Sequence, residues 1–383
     1  MRFIHISDLH LGLKLINRDL IKDQEYILDR IVELAGANKV DAVVIAGDIY
    51  DKAIPSAEAV TLFDGFINKL SKALCDAPVL AISGNHDSAP RLDLYRNILK
   101  KHNFYMIGMP PASKEDHIER VTLTDEYGEV DFYLLPFIKP SMIKAIVGTD
   151  ENGNNLSYRE SLKRLLEREV IDMSKRNVLV SHQFYLPAGK NADDIERMES
   201  EIVTVGNIDA VGADMLMAFD YAALGHIHKP MTVGEDRFRY SGTPMAYSAD
   251  EAGQIKGALL VDLGPKGELS VNQLPIVPLH EVRVITGSYK ELLNMSSDDY
   301  IFAVITDTTD LDVIDMQDRM RHAFPNLLEI RRQHLKKASY KKFQGAEKVR
   351  NPFELCMDFI GEADEEDMEL LKDVINTVTE ENR

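Results

Sequence analysis

Cysteine is scarce in this chain of 383 residues: the two present, Cys75 and Cys356, cannot build a disulfide framework or a thiolate zinc site. Long apolar runs are missing too, and no stretch approaches the roughly eighteen residues that a membrane-spanning helix needs. The segment Met1–His10 enters a strand-like pattern at once, with no charged leader and long apolar region, so no secretory signal is expected. The expected compartment is therefore the cytoplasm, without membrane association. Basic residues are in deficit: 44 Lys and Arg against 63 Asp and Glu give a net charge of −19. Taken alone, that argues against nucleic acid as a partner, because phosphate binding usually shows as a basic face. Internal repeats and low-complexity tracts are also absent. What is present is 45% hydrophobic residues, which excludes a disordered chain. At about 150 residues per domain, the length implies two or three domains.

Short β-branched runs alternate with segments of helical period. Phe3–Ile6, Ala42–Ile45, Val79–Ile82, Val178–Val180 and Tyr221–Leu224 read as strands. Between them, Ile27, Ile31 and Leu34 share one helical face, and Leu62, Phe66 and Leu70 another, after Ser56. Residues 158–176 read as a further helix through Leu162, Leu165, Leu166 and Ile171. This alternation implies α/β layers around a largely buried sheet. Past Pro275 the pattern changes. Residues 281–335 read as strand, helix, strand, helix, strand, which makes a small α+β unit. Arg331–Lys342 then holds six Lys or Arg and no acid. Asn351-Pro352-Phe353-Glu354 has the form of a helix start, with Asn as N-cap, Pro at N1 and Glu at N3. Phe353, Met357 and Ile360 form one stripe there; Met368, Leu371, Ile375 and Val378 form a second. The expected division is 1–275, 276–340 and 341–383.

The chemistry lies where the strands end. The five runs lead into Asp8-Leu9-His10, Gly47-Asp48, Gly84-Asn85-His86-Asp87, Ser181-His182 and Gly225-His226-Ile227-His228. Ligands gather beyond the carboxyl ends of strands in α/β sheets, so these residues are expected at one place. Glycines 47, 84 and 225 are expected to let the backbone turn tightly there. Carboxylates, imidazoles and one amide oxygen, without thiolate, suit a pair of divalent ions, with Asp48 placed to bridge them. The remaining histidines, His5, His102, His117, His280, His322 and His334, read as structural, and Asp87 as supporting rather than ligating.

Ile4–Gly12, Ala46–Asp51, Ile82–Ser88 with Arg91-Leu92, Leu224–His228 and Tyr240-Ser241-Gly242-Thr243-Pro244 together resemble the calcineurin-like metallophosphoesterases. They resemble most closely the branch of bacterial SbcD nuclease subunits, kin to the double-strand-break repair nuclease of archaea and eukaryotes, and the resemblance runs the whole length. It implies a β-sandwich flanked by helices, with a capping domain and a C-terminal helix pair that binds an SbcC-type coiled-coil ATPase. One metal would be held by Asp8, His10, Asp48 and His228, the other by Asp48, Asn85, His182 and His226, with Mn²⁺ the expected ion. His86 would serve the leaving oxygen and Asp51 would orient it. The implied activity is two-metal hydrolysis of DNA at duplex ends, exonuclease and endonuclease, by a homodimer within a heterotetramer. No G-x-x-x-x-G-K-[ST] loop occurs, so ATP dependence would come from the partner. A small-molecule metallophosphatase or phosphodiesterase is the alternative reading, and a non-catalytic scaffold a more distant one. The charge conflict eases by region: residues 345–383 contain twelve acidic and four basic residues, −8, leaving −11 for the rest.

Overall fold

The computed structural model describes the chain except residues 76, 188, 191–193, 202–208, 308–312, 334–351, 361–363 and 382–383. The basic run beyond Gln333 and the expected N-cap Asn351 lie outside the described residues. The chain divides into two compact units, the first over Met1–Glu201 and Asp209–Glu281, the second beginning at Val282.

The first unit is built on two six-stranded mixed sheets. Their strands in chain order are β1 (Arg2–Ile6), β2 (Ala42–Ala46), β3 (Val79–Ile82), β4 (Phe104–Ile107), β5 (Glu119–Asp125), β6 (Gly128–Leu135), β7 (Arg176–His182), β8 (Tyr221–Gly225), β9 (Met231–Val233), β10 (Glu235–Tyr240), β11 (Gly257–Leu263) and β12 (Leu269–Pro275). One sheet runs β12-β11-β1-β2-β3-β4, the other β9-β10-β8-β7-β6-β5. Within each, the central strands are parallel, and antiparallel pairing occurs toward the edges. Side chains alternate across the strands. Phe3, Val44, Leu80 and Ile82 of the first sheet therefore meet Phe132, Val178, Val180 and Tyr221 of the second in one buried core. Phe3 packs edge-on against Phe132 and Tyr221, with ring centroids 5.5 and 5.7 Å apart.

Several expected elements differ in detail. The five strands that carry polar ends are not successive, because β4–β6 lie between β3 and β7, and they divide between the two sheets. The helix Ile21–Asn38 buries Ile27, Leu28, Ile31 and Ala35, and its partner Ala57–Ala73 buries Phe63, Phe66 and Leu70 rather than Leu62. Ser56 caps the latter, accepting from the Ala59 N–H at 3.3 Å. The helix expected over 158–176 ends at Glu167. Beyond it, Asp172 accepts from the Ser174 N–H at 2.9 Å, a local turn that competes with helix and redirects the chain into β7.

One contact clamps the sandwich. Arg176 on β7, buried, donates to both oxygens of Asp125 on β5 and to the Leu263 carbonyl of the opposite sheet at 3.1 Å. Its hydrogen bonds hold the Asp125 carboxyl well below the usual range. The resulting stability is present above the ordinary carboxylate pKa of about 4 and is lost as pH falls through the depressed value. Asp125→Asn is expected to cost about 2 kcal/mol at pH 7, between an exposed pair and a fully buried one. In urea denaturation, the gap from wild type should narrow below pH ~4.

The second unit has a three-stranded parallel sheet, Val282–Gly287, Tyr300–Ile305 and Leu327–Arg332. The helix Val313–Ala323 and the turn Tyr289–Leu292 cover it over Ile285, Ile301, Ala303, Met316, Met320 and Phe324. Ser288 and Glu291 form a reciprocal capping box. Two further helices, Pro352–Ile360 and Glu365–Glu381, come after the sheet. Lys372 lies 5.4 Å from the Phe353 ring centroid, and Ile375 is buried. Phe359 at 93% and Leu370 at 59% are left exposed. Among the described residues, no helix is long and apolar enough to cross a membrane.

Candidate metal centre

The parallel centres of both sheets direct the carboxyl ends of β1, β2, β3, β7 and β8 to one place. Crowding there dictates the local sequence. Gly47 adopts φ +91°, a left-handed conformation that favours glycine. Gly84 and Gly225 serve close approach rather than turning: a Cβ would sit 2.1 Å from Asp48 Oδ1 and 2.0 Å from the Ala46 carbonyl, respectively. Asp8, His10, Asp48 and His226 also have positive φ, at 53°, 43°, 49° and 104°. Such strain, about 1–3 kcal/mol per residue, persists only where the surroundings over-determine it. Here the Asp8 and His10 N–H groups donate to the Gly47 and Asp48 carbonyls at 3.0 Å, locking the two strand ends together.

Asp48 lies at the centre. Its Oδ2 is 3.3 Å from His182 Nε2 and 3.7 Å from His10 Nε2, and its Oδ1 accepts from the His86 main-chain N–H at 2.8 Å. On one side, His10 Nε2 faces His228 Nε2 at 3.1 Å, beside Asp8. On the other, Asn85 Oδ1 lies 3.0 Å from His182 Nε2 and 2.9 Å from His226 Nδ1. Asp8 accepts from the His226 N–H at 3.0 Å and from the Ser7 hydroxyl. Asp8, His10, Asp48, His182, His226 and His228 are all buried.

This donor set fits a pair of divalent ions. His182 Nδ1–H donates to the Ala46 carbonyl at 2.8 Å, which turns Nε2 toward the Asp48 and Asn85 oxygens, at 3.3 and 3.0 Å. Acceptors that converge in this way need a cation between them. Electrostatics agree. Burial opposes an imidazolium at His182, yet Asp48 and Asp8 outweigh it and raise the pKa to about 9. Burial also raises Asp8 to about 6 and would raise Asp48, but at Asp48 the surrounding histidines win and hold it well below the carboxylate range. His10 and His226 are pushed well down by burial, His10 further by His86 and His226 by Arg197, whose Nη2 lies 3.2 Å from His226 Nε2; both shifts favour the neutral ring that ligation requires. Three overlapping groups, Asp8/His10/His228, His10/Asp48/His86 and Asp8/Asp48/His182, each bring donor atoms within 4.8 Å of one another.

His86 is the most open of these histidines, its side chain 16% exposed. Its Nδ1 lies 2.9 Å from the Asp51 main-chain carbonyl, so the contact expected of the Asp51 carboxylate is made by its backbone. Asp87 accepts from the Ile49, Tyr50 and Gly84 N–H groups at 3.0, 2.9 and 2.9 Å, stapling two strand ends. His5 instead meets the Tyr221 hydroxyl at 2.9 Å inside the sandwich. Sequence reasoning missed Ser200, Glu201, Glu251 and Lys256, which surround His228. Ser200 and Glu201 lie in one stretch and Glu251 and Lys256 in another, with no motif spacing to link them.

The calcineurin-like phosphoesterase family matches residues 1–230. Among solved structures, TT1561 of Thermus thermophilus is similar at 14% identity and TM-score 0.39, covering 71% of this chain and 98% of that one. A dimetal phosphatase from Danio rerio is similar at 13% identity and TM-score 0.39, covering 73% of this chain and 98% of that one. With the family matched over more than half its length, and buried His and Asp clusters suited to two ions inside the match, the chain belongs to the calcineurin-like phosphoesterases and is a metal-dependent phosphoesterase.

Proposed function

We propose that this phosphoesterase is the nuclease subunit of an SbcCD-type complex. It hydrolyses DNA at duplex ends as a 3′→5′ exonuclease, and single strands and hairpins as an endonuclease, in repair, replication and recombination. The observation that carries this reading lies C-terminal to the family region: a separate small α/β unit and an amphipathic helix pair with Phe359 and Leu370 exposed. A small-molecule phosphoesterase has little need of either. The helix pair suits docking on a coiled-coil ATPase, the small unit suits selecting duplex ends, and two such subunits would pair within a heterotetramer.

Asp8, His10, Asp48 and His228 would hold one ion and Asp48, Asn85, His182 and His226 the other, with Mn²⁺ the proposed metal. When bound, such ions polarise a phosphoryl oxygen and acidify a water. The protein's own groups do the rest. Asp48 presents Oδ2 between the two donor groups while the His86 N–H fixes Oδ1. In its protonated form, His86 holds one N–H at Nδ1 on the Asp51 carbonyl and has a second N–H at Nε2 to give to the departing oxygen.

With a net charge of −19, this subunit alone should hold DNA weakly and with steep salt dependence. End-labelled duplex, incubated in Mn²⁺ with and without the ATPase partner, is expected to be shortened, and faster with the partner. Hydrolysis of a small phosphodiester with the duplex left intact under both conditions would overturn the DNA reading in favour of a small-molecule enzyme.

A further inference from the structure

The buried group behind His228 is a directional hydrogen-bond relay. The Glu251 carboxylate, fully buried, accepts from the Ser200 hydroxyl at 2.5 Å, the Ser248 hydroxyl at 2.8 Å and the Thr243 hydroxyl at 3.0 Å. It pairs with Lys256 Nζ at 2.7 Å, and Lys256 also donates to the His228 carbonyl at 2.8 Å. Ser200 Oγ lies 2.6 Å from His228 Nδ1. A hydroxyl has one proton to give. Ser200 gives it to the carboxylate, so its oxygen must accept at His228, and the imidazole proton sits on Nδ1. The lone pair of Nε2 then faces His10 and Asp8.

We infer that Glu251, acting through Ser200, is a positioning residue that fixes the proton of His228 on Nδ1 and aims Nε2 into the metal-ligand cluster, with Lys256 as the counter-charge that keeps Glu251 acceptor-only. The device lies outside the strand-end motifs and does not depend on which phosphoester is cleaved. Donor and acceptor counting gives it a sign. Glutamine at 251 has the same shape, but its amide can donate to Ser200. The hydroxyl is then released to donate to Nδ1, which moves the imidazole proton to Nε2, where it blocks ligation. Alanine at 200 removes the relay, and threonine restores its hydroxyl. Ser248→Ala takes one hydrogen bond from the same carboxylate and a 3.5 Å contact from Ser200, and leaves the Ser200–Glu251 and Ser200–His228 hydrogen bonds in place.

The test is calorimetric titration of the metal-free full chain with Mn²⁺, beside thermal melts and ¹⁵N-histidine spectra. Glu251→Gln and Ser200→Ala are expected to weaken one of the two Mn²⁺ sites roughly 10- to 100-fold. Ser200→Thr and Ser248→Ala should bind as wild type, and in Glu251→Gln the His228 proton should appear on Nε2. Wild-type affinity in both Glu251→Gln and Ser200→Ala would overturn the inference. So would an equal loss in Ser248→Ala, which would mark the group as general scaffolding. If Glu251→Gln does not fold, Ser200→Ala against Ser200→Thr decides alone.

Discussion

Replacing Asp48 with asparagine is expected to abolish phosphoester hydrolysis, with a loss of roughly 10⁴-fold or more, about 5 kcal/mol of transition-state stabilisation. An Asp48 oxygen lies within reach of both His10 and His182, at 3.7 and 3.3 Å, so both donor groups depend on it. Asparagine keeps the shape and can still accept the His86 N–H, but removes the charge around which the buried imidazoles are arranged. Metal content should fall with activity, because the remaining groups offer one carboxylate, Asp8, against a pair of divalent ions. The fold should survive with reduced stability: the shape is kept, but the surrounding histidines outweigh burial and favour the Asp48 carboxylate, so its charge stabilises the folded chain. Circular dichroism with metal analysis checks this: a folded protein that retains two ions and hydrolyses at the wild-type rate would remove Asp48 from the centre.

Replacing His86 with glutamine is expected to act differently. Its hydrogen bond to Asp48 is made by the main-chain N–H at 2.8 Å, while the imidazole Nε2 lies further off, at 4.0 Å, so both ions should still bind. What is lost is a side chain that can carry a proton, and general acid catalysis of this kind is worth roughly 10²–10⁴-fold. Cleavage should collapse by that factor with metal stoichiometry unchanged. Because the contact from Asp51 is made by its carbonyl, Asp51→Ala should cost far less than His86→Gln. Unchanged cleavage in His86→Gln would sink the assignment. Loss of one ion in that variant would instead make His86 a ligand, as its grouping with His10 and Asp48 geometrically allows.

Much of the centre was legible because strand ends write their chemistry locally. An apolar run ending in Asp-x-His, Gly-Asp, Gly-Asn-His or Gly-His-x-His announces both a strand and its polar terminus. The small unit was legible for a similar reason: the order strand, helix, strand, helix, strand expected over 281–335 is found from Val282 to Arg332. Two things were not legible. One was the pairing of strands into two sheets: β6 carries Glu129 and Asp131 among its apolar residues, and nothing local says that it pairs in parallel with β7 while Phe132 packs against Phe3 across the core. The other was the support around the ligands. Ser200, Glu251 and Lys256 meet at His228 from separate stretches, and the orientation of His86 comes from a carbonyl, which every residue has. The glycines show the same limit. Their positions were visible, but that Gly84 and Gly225 make room for Asp48 and the Ala46 carbonyl is a tertiary fact.

The central claim is that one buried cluster holds two divalent ions and hydrolyses phosphoesters with them. Metal analysis of the purified chain in Mn²⁺, read beside its rate on a generic phosphodiester, tests it most directly. The expected result is two ions per chain, hydrolysis that disappears on chelation, and return of both when Mn²⁺ is restored. Fewer than one ion per chain, with no hydrolysis in excess Mn²⁺, would contradict it and leave the fold as a scaffold.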